Sequence, residues 1–262
     1  MCELLGMSAN VPTDICFSFS GLMQRGGGTG PHRDGWGIGF YEGKGLRTFH
    51  DPEPSVDSAI AKFIQSHPIK SDVVVSHIRQ ANVGQVTLEN THPFSRELWG
   101  NMWCFAHNGQ LDKALFDWPL NFYQPVGSTD SEYAFCWLMD QLRSQFPKRP
   151  ESTQVLVDFI HACCEKLREL GVYNMLLSES NFLFCYASTK LSWLTRQAPF
   201  GEATLKDCDL TVDFHTETTE KDKVSVVATE PLTDHEPWQK IEVGELITFD
   251  RGDVFSQCFT SN

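Results

Sequence analysis

The sequence predicts an α+β fold, in which two antiparallel sheets are stacked and covered by helices in a four-layer α/β/β/α sandwich. Strand patterns dominate both ends of the chain, and two long helical patterns lie together in the middle. A doubly wound parallel sheet would need strands and helices in strict alternation, which is absent. The chain also lacks internal repeats and linker-like stretches, so one domain spanning residues 1–262 is expected.

The first half of the chain is predicted to hold strands and two helices around a glycine-rich loop. Thr13-Asp14 can cap a helix that runs to about Gln24, because apolar residues follow in a helical pattern. The glycines between 26 and 37 then require a sharply bent loop. Strands are predicted over 2–8, 72–79 and 101–107, a hairpin pairs 37–41 with 45–50, a helix covers 56–66, and a polar loop covers 82–97.

The second half begins with the two long helices, at 130–146 and 152–170, where apolar residues recur every three or four positions. The final third is rich in strands. Residues 201–222 are polar and acidic, which predicts an excursion on the surface. The strands of this third are predicted over 174–178, 182–188, 191–196, 224–228 and 245–250.

Composition and charge exclude several classes of function. The net charge of −13 and the absence of a dense Lys/Arg cluster argue against nucleic acid as a partner. No stretch approaches about 18 consecutive apolar residues, and the N-terminus lacks the basic and apolar regions of a secretory signal, so neither a membrane nor secretion is expected. The nine cysteines form no C-x-x-C pair and mostly have apolar neighbours, which predicts free thiols in a reducing cytoplasm.

Cys2 is a candidate nucleophile because of its position in the chain. Removal of Met1 would leave Cys2 with a free thiol and a free α-amine, and such an amine can accept the proton of a neighbouring nucleophile. A cysteine at this position is by itself more often a buried strand residue. The interpretation therefore depends on the polar groups that the rest of the chain supplies.

Five polar clusters fall at predicted strand ends or in loops. Each has a structural alternative: a surface turn pair, side chains on one face of a strand, a hairpin turn at Asn108-Gly109, or a helix cap at Asp130 or Ser131. The clusters are Arg33-Asp34-Gly35, His77-Ile78-Arg79, Asn90-Thr91-His92-Pro93-Phe94, His107-Asn108-Gly109 and Thr129-Asp130-Ser131-Glu132.

Together with Cys2, these clusters resemble the class II glutamine amidotransferase domain, an N-terminal-nucleophile hydrolase. The resemblance runs in the expected order from Cys2 to Glu132 and continues weakly in VVATEPL (226–232) and GELITF (244–249). It is strongest to the free-standing, YafJ-like members, which have no fused synthase domain. The resemblance implies the four-layer sandwich of that hydrolase class, with glutamine or another γ-glutamyl compound as substrate.

The resemblance also implies roles for individual residues. Cys2 would attack the side-chain amide of glutamine and form a γ-glutamyl thioester, which water hydrolyses without a cofactor or metal. The side-chain amide of Asn108 and the backbone N–H of Gly109 would form the oxyanion hole. Arg79 would bind the α-carboxylate and Asp130 the α-ammonium group. His77 and His92 would have supporting roles in the substrate pocket.

The sequence departs from the common family pattern at a few positions and leaves several functions open. Ile78 and Asn82 stand where many members have threonine, and Thr129 stands where serine is frequent. Ammonia from glutamine would pass to a separate acceptor protein. Alternatively, the same site hydrolyses another γ-glutamyl amide or peptide, or the chain is a non-catalytic binding subunit. A metal site built from the histidines is a remote alternative, because they lack short ligand spacing.

Overall fold

The computed structural model describes residues 2–81 and 84–260, and its main strands form two sheets in which every neighbouring pair is antiparallel. In the first sheet the spatial order is β13 (Gln239–Lys240), β9 (Ser192–Gln197), β12 (Lys223–Ala228), β1 (Glu3–Thr13), β4 (Ser71–Ile78), β2 (Trp36–Glu42) and β3 (Gly45–Asp51). In the second it is β15 (Asp253–Cys258), β14 (Glu245–Asp250), β8 (Phe182–Ala187), β7 (Gly171–Ser178), β6 (Asn101–Leu111) and β5 (Phe94–Leu98).

The helices cover the outer faces of the two sheets. Helices α1 (Cys16–Arg25) and α2 (Ala59–Ser66) pack on the first sheet, and α3 (Asp130–Gln145) and α4 (Thr153–Arg168) pack on the second. A third apolar layer, which includes Leu4, Ala106 and Leu176, fills the space between the sheets. This arrangement confirms the predicted α/β/β/α sandwich. Smaller elements are the hairpin β10 (Glu202–Thr204) and β11 (Thr211–Asp213), the helix α5 (Phe214–Glu217), and single 3₁₀ turns at Leu88–Asn90 and Lys113–Asp117.

Strand β1 lies in the interior of the first sheet and is buried on both faces. Its alternating side chains divide between two cores: Leu4 enters the layer between the sheets, whereas Leu5 and Met7 face α1 and α2. The same alternation directs Cys2 toward the layer between the sheets. The first residue of β1, Glu3, is paired with the last residue of β4, Ile78. Cys2 comes just before this pair and Arg79 just after it, so the two residues lie close together.

Most of the predicted elements are confirmed, and the differences come from tertiary pairing. The first helix begins later than predicted, at Cys16, although Asp14 still accepts a hydrogen bond from the Cys16 backbone N–H at 3.1 Å. The predicted polar loop contains β5, which pairs with β6. Strand β6 does not stop at Asn108-Gly109 but continues to Leu111, because β7 pairs along this whole segment. The Asn108-Gly109 dipeptide is therefore inside a strand and not at a turn.

The acidic segment 201–222 is more structured than predicted. It forms β10 and β11, it buries Ala203, and it packs the buried Leu205 against Gly21 of α1. The helices of the part of the chain that the structure describes are too short or too polar to span a membrane.

Candidate active site

One cleft collects most of the predicted site residues. Cys2, Arg79, His92, Gly109 and Asp130 line it, together with Gln80, Ala81, His107, Gln110, Thr129 and Ser131. These residues come from the position just before β1, the chain after β4, the segment just before β5, the C-terminal half of β6 and the N-terminus of α3. Asn108 and His77 are buried and are not among the residues that line the cleft. Met1 and Asn82 lie outside the described residues, so the predicted removal of Met1 stays a prediction.

The Cys2 thiol is held by the backbone that follows β4. The Gln80 N–H lies 3.3 Å from Cys2 Sγ, and Cys2 Sγ lies 3.5 Å from the Gln80 carbonyl oxygen. The glycine-rich loop fixes this segment, since Asp34 accepts a hydrogen bond from the Ala81 N–H at 2.7 Å, and the Arg79 N–H donates to the Gly35 carbonyl at 2.8 Å. Asp34 and Gly35 of the predicted cluster therefore hold the backbone of residues 79–81 next to Cys2, whereas Arg33 contacts Gly27 and Asp57.

Burial raises the pKa of the Cys2 thiol, although the hydrogen bond from Gln80 and the charge of Arg79 act in the opposite direction. The thiol is therefore protonated at neutral pH. Since the thiolate is the reactive form of cysteine, attack by this group requires a base that removes the proton as the new bond forms.

Arg79 and Asp130 place opposite charges on the walls of the cleft. Arg79 is 3% exposed, and its guanidinium donates to the Gln85 carbonyl at 2.8 Å. Burial lowers the pKa of Arg79 from its ordinary value, but an arginine remains charged at neutral pH. One carboxylate oxygen of Asp130 accepts a hydrogen bond from the Leu111 N–H at 2.7 Å, and the other has no hydrogen-bond partner among the described residues.

Two loops beside the cleft are joined by Asn90. Its side chain donates to the Gln85 carbonyl at 3.1 Å and accepts from the Ser128 N–H at 2.8 Å. The loop that holds Arg79 is thereby tied to the loop that precedes α3. Thr129 caps α3 by accepting a hydrogen bond from the Glu132 N–H, so the threonine at this position supplies the hydroxyl that a serine would.

Gly109 is required by close packing and not by an unusual backbone angle. A Cβ at this position would collide with the Val172 carbonyl oxygen of β7 and would lie 2.6 Å from His107 Nε2. His107 Nε2 is 3.1 Å from the same carbonyl, so this nitrogen carries the proton. His107 Nδ1 then accepts from the Ser131 hydroxyl at 2.8 Å. His107 thus connects the strand that holds Gly109 to the helix that holds Asp130.

The side chain of Asn108 faces Thr229, which was not among the predicted site residues. Its Nδ2 lies 3.3 Å from Thr229 Oγ1, and Thr229 Oγ1 lies 2.9 Å from the Leu4 backbone nitrogen. The Asn108 carbonyl accepts a hydrogen bond from the fully buried Asn174 at 2.9 Å. Thr229 lies within the VVATEPL segment, so the weak resemblance there was the only available signal for it.

His77 and His92 are buried against each other, with ring centroids 4.1 Å apart and ring planes inclined by 34°. None of their four ring nitrogens has a hydrogen-bond partner among the described residues. Burial lowers the pKa of both rings well below the ordinary value, and it also lowers the pKa of His107. All three imidazoles are therefore neutral in the folded protein at neutral pH.

We expect the free energy of unfolding to fall as the pH drops below about 6.5, the ordinary pKa of histidine. The unfolded chain takes up protons at His77, His92 and His107 there, whereas the folded protein does not, so stability rises with pH through this range. Each histidine contributes at most about 1.4 kcal/mol per pH unit. Urea unfolding at pH 7.5 and 5.5 measures how steeply the free energy of unfolding changes with pH, and this change should be smaller in His77→Phe. An equal free energy of unfolding at the two pH values would contradict the conclusion that the three rings are buried and neutral.

A second network lies on the other face of β1. Arg25, at the end of α1, forms ion pairs with Glu3 at 3.0 Å and with Asp207 at 2.9 Å. It also donates to the Glu230 and Pro231 carbonyls, next to Thr229. Because the partners of Arg25 are far apart along the chain, no local sequence pattern predicted this network. Among the described residues, no group of three or more His, Cys, Asp or Glu side chains could hold a metal ion.

Comparisons with known proteins bear on the identity of this site. The family model of the class II glutamine amidotransferases matches residues 1–262. The chain belongs to the class II glutamine amidotransferases. The Escherichia coli protein YafJ, which is named as a glutamine amidotransferase, is 59% identical over 97% of this chain and 99% of its own length. The predicted resemblance to YafJ is confirmed.

Solved structures of two amidotransferases share the fold. The crystal structure of a predicted glutamine amidotransferase from Pseudomonas aeruginosa is 55% identical, with a TM-score of 0.77 over 97% of this chain and all of that one. The glutamine phosphoribosylpyrophosphate amidotransferase of Bacillus subtilis has a TM-score of 0.63 at 16% identity, over 99% of this chain and 49% of that one. This class II amidotransferase is thus an enzyme of the N-terminal-nucleophile type, and its family implies glutamine as substrate.

A partial match has a different named substrate. The γ-glutamyl-hercynylcysteine sulfoxide hydrolase of Mycobacterium tuberculosis is 31% identical over 87 residues, which cover 31% of this chain and 34% of that protein.

Proposed function

We propose that this amidotransferase hydrolyses the side-chain amide of glutamine through a γ-glutamyl thioester on Cys2. Cys2 Sγ bonds to the amide carbon, the carbon–nitrogen bond breaks, and ammonia leaves with the proton of the thiol. Water then cleaves the thioester to glutamate and regenerates the thiol. The observation that carries the proposal is the meeting of one cysteine, one arginine and one aspartate in the same cleft of a class II amidotransferase.

The charges of the cleft suit the free amino acid. Glutamine carries an α-carboxylate and an α-ammonium group at neutral pH. The cleft offers Arg79 for the first, and for the second the Asp130 carboxylate oxygen that accepts no hydrogen bond from the described residues. Both side chains are buried, so water screens their charges from a bound ligand less than it would at the protein surface. His77 and His92 would support the wall of this pocket as neutral rings.

Asn108 and Gly109 are proposed to stabilise the negative oxygen that develops during attack. The requirement for glycine at 109 supports this role, since Gly109 lets the backbone of β6 approach β7 closely at the edge of the cleft. The buried Asn108 adds a side-chain donor that water does not screen.

The base in this proposal is the α-amine of Cys2 after removal of Met1. The raised pKa of the thiol supports the need for such a base.

The reaction needs no cofactor or metal, and residues 1–262 are proposed to form one catalytic domain. All nine cysteines are free, which supports a reducing cytoplasm as the compartment. Ammonia is proposed to pass to a separate acceptor protein.

A second candidate is the hydrolysis of another γ-glutamyl amide or peptide. The partial match to a γ-glutamyl hydrolase favours it, and the chemistry of the cleft allows it. Arg79 and Asp130 would bind the glutamyl end in either case, so these two residues do not distinguish the substrates. The leaving group is what differs, ammonia in one case and an amine in the other.

We expect purified protein to release equal amounts of glutamate and ammonia from glutamine, because both products come from the same bond. The kcat/KM for glutamine should exceed the kcat/KM for γ-glutamyl dipeptides, because the proposed substrate is the primary amide of glutamine and the dipeptides contain a secondary amide. Enzymatic glutamate determination with each substrate measures both quantities. A strong preference for the dipeptides would reject glutamine as substrate and support the second candidate.

A further inference from the structure

The hydrogen bonds around Asn108 and Thr229 leave the Asn108 side-chain oxygen and the Thr229 hydroxyl proton without partners among the described residues. With Asn108 Nδ2 placed 3.3 Å from Thr229 Oγ1, the Asn108 Oδ1 atom is buried and has no partner among the described residues. Thr229 Oγ1 also accepts the Leu4 N–H at 2.9 Å. In this orientation the Thr229 hydroxyl accepts twice, while its own proton has no assigned acceptor.

Reversing the Asn108 side-chain amide gives both of these groups a partner. The reversal is compatible with the same atomic positions, because the oxygen and nitrogen of an amide occupy nearly equivalent positions. The Thr229 hydroxyl then accepts from the Leu4 N–H and donates to Asn108 Oδ1. The Asn108 Nδ2 group takes the place of the orphaned oxygen and keeps both protons for another acceptor. Both orientations have two hydrogen bonds at Thr229, but only the reversed one gives the Asn108 oxygen and the Thr229 hydroxyl proton a partner and leaves N–H donors as the unused groups, which is what a developing oxyanion needs.

We propose that Thr229 is a positioning residue that fixes the Asn108 amide with its N–H donors free for the developing oxyanion. This inference rests on the proposed function, because it deepens the role given there to Asn108. Thr229 is 4% exposed, so solvent does not compete for its hydroxyl. Valine, which has the same shape without a hydroxyl, would leave the amide free to adopt either orientation.

Thr229 itself is tied to the strand that carries the nucleophile. The Thr229 N–H donates to the Leu4 carbonyl at 3.2 Å, and its hydroxyl accepts from the Leu4 N–H at 2.9 Å. Asn174 fixes the other side by donating to the Asn108 carbonyl. The hydroxyl of Thr229 therefore links the Asn108 side chain to the backbone of Leu4, which is two residues after Cys2.

We expect Thr229→Val to lower kcat for glutamine about 10- to 100-fold, with KM changed by less than about twofold, because only the stabilisation of the transition state is lost. Thr229→Ser retains the hydroxyl and should keep kcat within about threefold of the unaltered enzyme. In an Asn108→Ala background, adding Thr229→Val should change kcat by less than about twofold, since Thr229 acts through Asn108. Steady-state kinetics with the four variants measures these ratios.

Thr248→Val is the matched control, because Thr248 is equally buried in β14 and its hydroxyl has no partner among the described residues. Its kcat should be unchanged. Multiplicative losses in the double variant, or an unchanged kcat in Thr229→Val, would overturn the inference. If Asn108→Ala itself had no effect on kcat, the proposed oxyanion hole would be wrong.

A neutron diffraction structure of the unaltered protein tests the orientation even where Thr229→Val does not fold. Deuterons on the Asn108 atom that faces away from Thr229 support the inference, and deuterons on the atom that faces Thr229 overturn it.

Discussion

Replacement of Cys2 by alanine is expected to lower glutamate release from glutamine by about 10⁴- to 10⁶-fold, because the group that forms the covalent intermediate is lost. Cys2 is the one cysteine among the described residues that line the cleft, so no other thiol there can replace it. The substitution removes little volume, so the fold should be retained. Glutamate release by the variant and by the unaltered protein, measured under identical conditions, gives the ratio.

Mass spectrometry after reaction with a glutamine-mimicking electrophile completes this test. The label should appear on Cys2 in a peptide that lacks Met1, and it should be absent from Cys2→Ala. Cys16→Ala is the matched control, since burial raises the pKa of Cys16 to about 12 and this residue lies in α1, outside the cleft. The control should retain both activity and labelling. A label on Cys2 with Met1 still attached would refute the α-amine as the base.

Replacement of Asn108 by alanine is expected to lower kcat about 100- to 1000-fold, the usual effect of removing one oxyanion-hole donor. The change should leave KM for glutamine nearly unaltered, because the donor is needed only when negative charge develops on the amide oxygen. Arg79 and Asp130, which are proposed to bind the substrate, are not changed. Separate measurement of kcat and KM distinguishes this effect from a loss of binding.

Asn174→Ala is a useful companion, since it removes the hydrogen bond to the Asn108 carbonyl while leaving the Asn108 side chain in place. It should affect stability more than catalysis, because Asn174 also accepts hydrogen bonds from the backbone of residues 188–190. An Asn108→Ala variant with normal kcat would contradict the proposed oxyanion hole.

The sequence predicted the fold class because each element has a local pattern. The paired helices in the middle of the chain, the hairpin at 37–50 and the apolar strand at 72–79 depend on periodicities within a few residues. The order of the polar clusters also identified the family, since the cysteine near the start and the clusters up to Glu132 form a linear pattern. These features require no knowledge of which strands are neighbours.

Element boundaries that depend on a partner strand were harder to predict. Strand β6 continues through Asn108-Gly109 because β7 supplies hydrogen bonds along its length, although this dipeptide is more typical of a turn. Strand β5 was missed because Arg96 interrupts its apolar pattern. Arg96 is held there by an ion pair to Glu132 at 2.6 Å, a contact across 36 residues of sequence.

The sequence by itself determined which residue types are present and in what order, and from them the family and the candidate residues. Only the tertiary structure decided that Cys2, Arg79, Gly109 and Asp130 line one cleft, that His77 and His92 are buried against each other, and that Thr229 faces Asn108 across 121 residues of sequence. The physical reason is that hydrogen bonds and burial act over a few ångströms in space, whatever the separation along the chain. Local patterns record the periodicity of each strand, but they do not record which side chains the stacked sheets bring together.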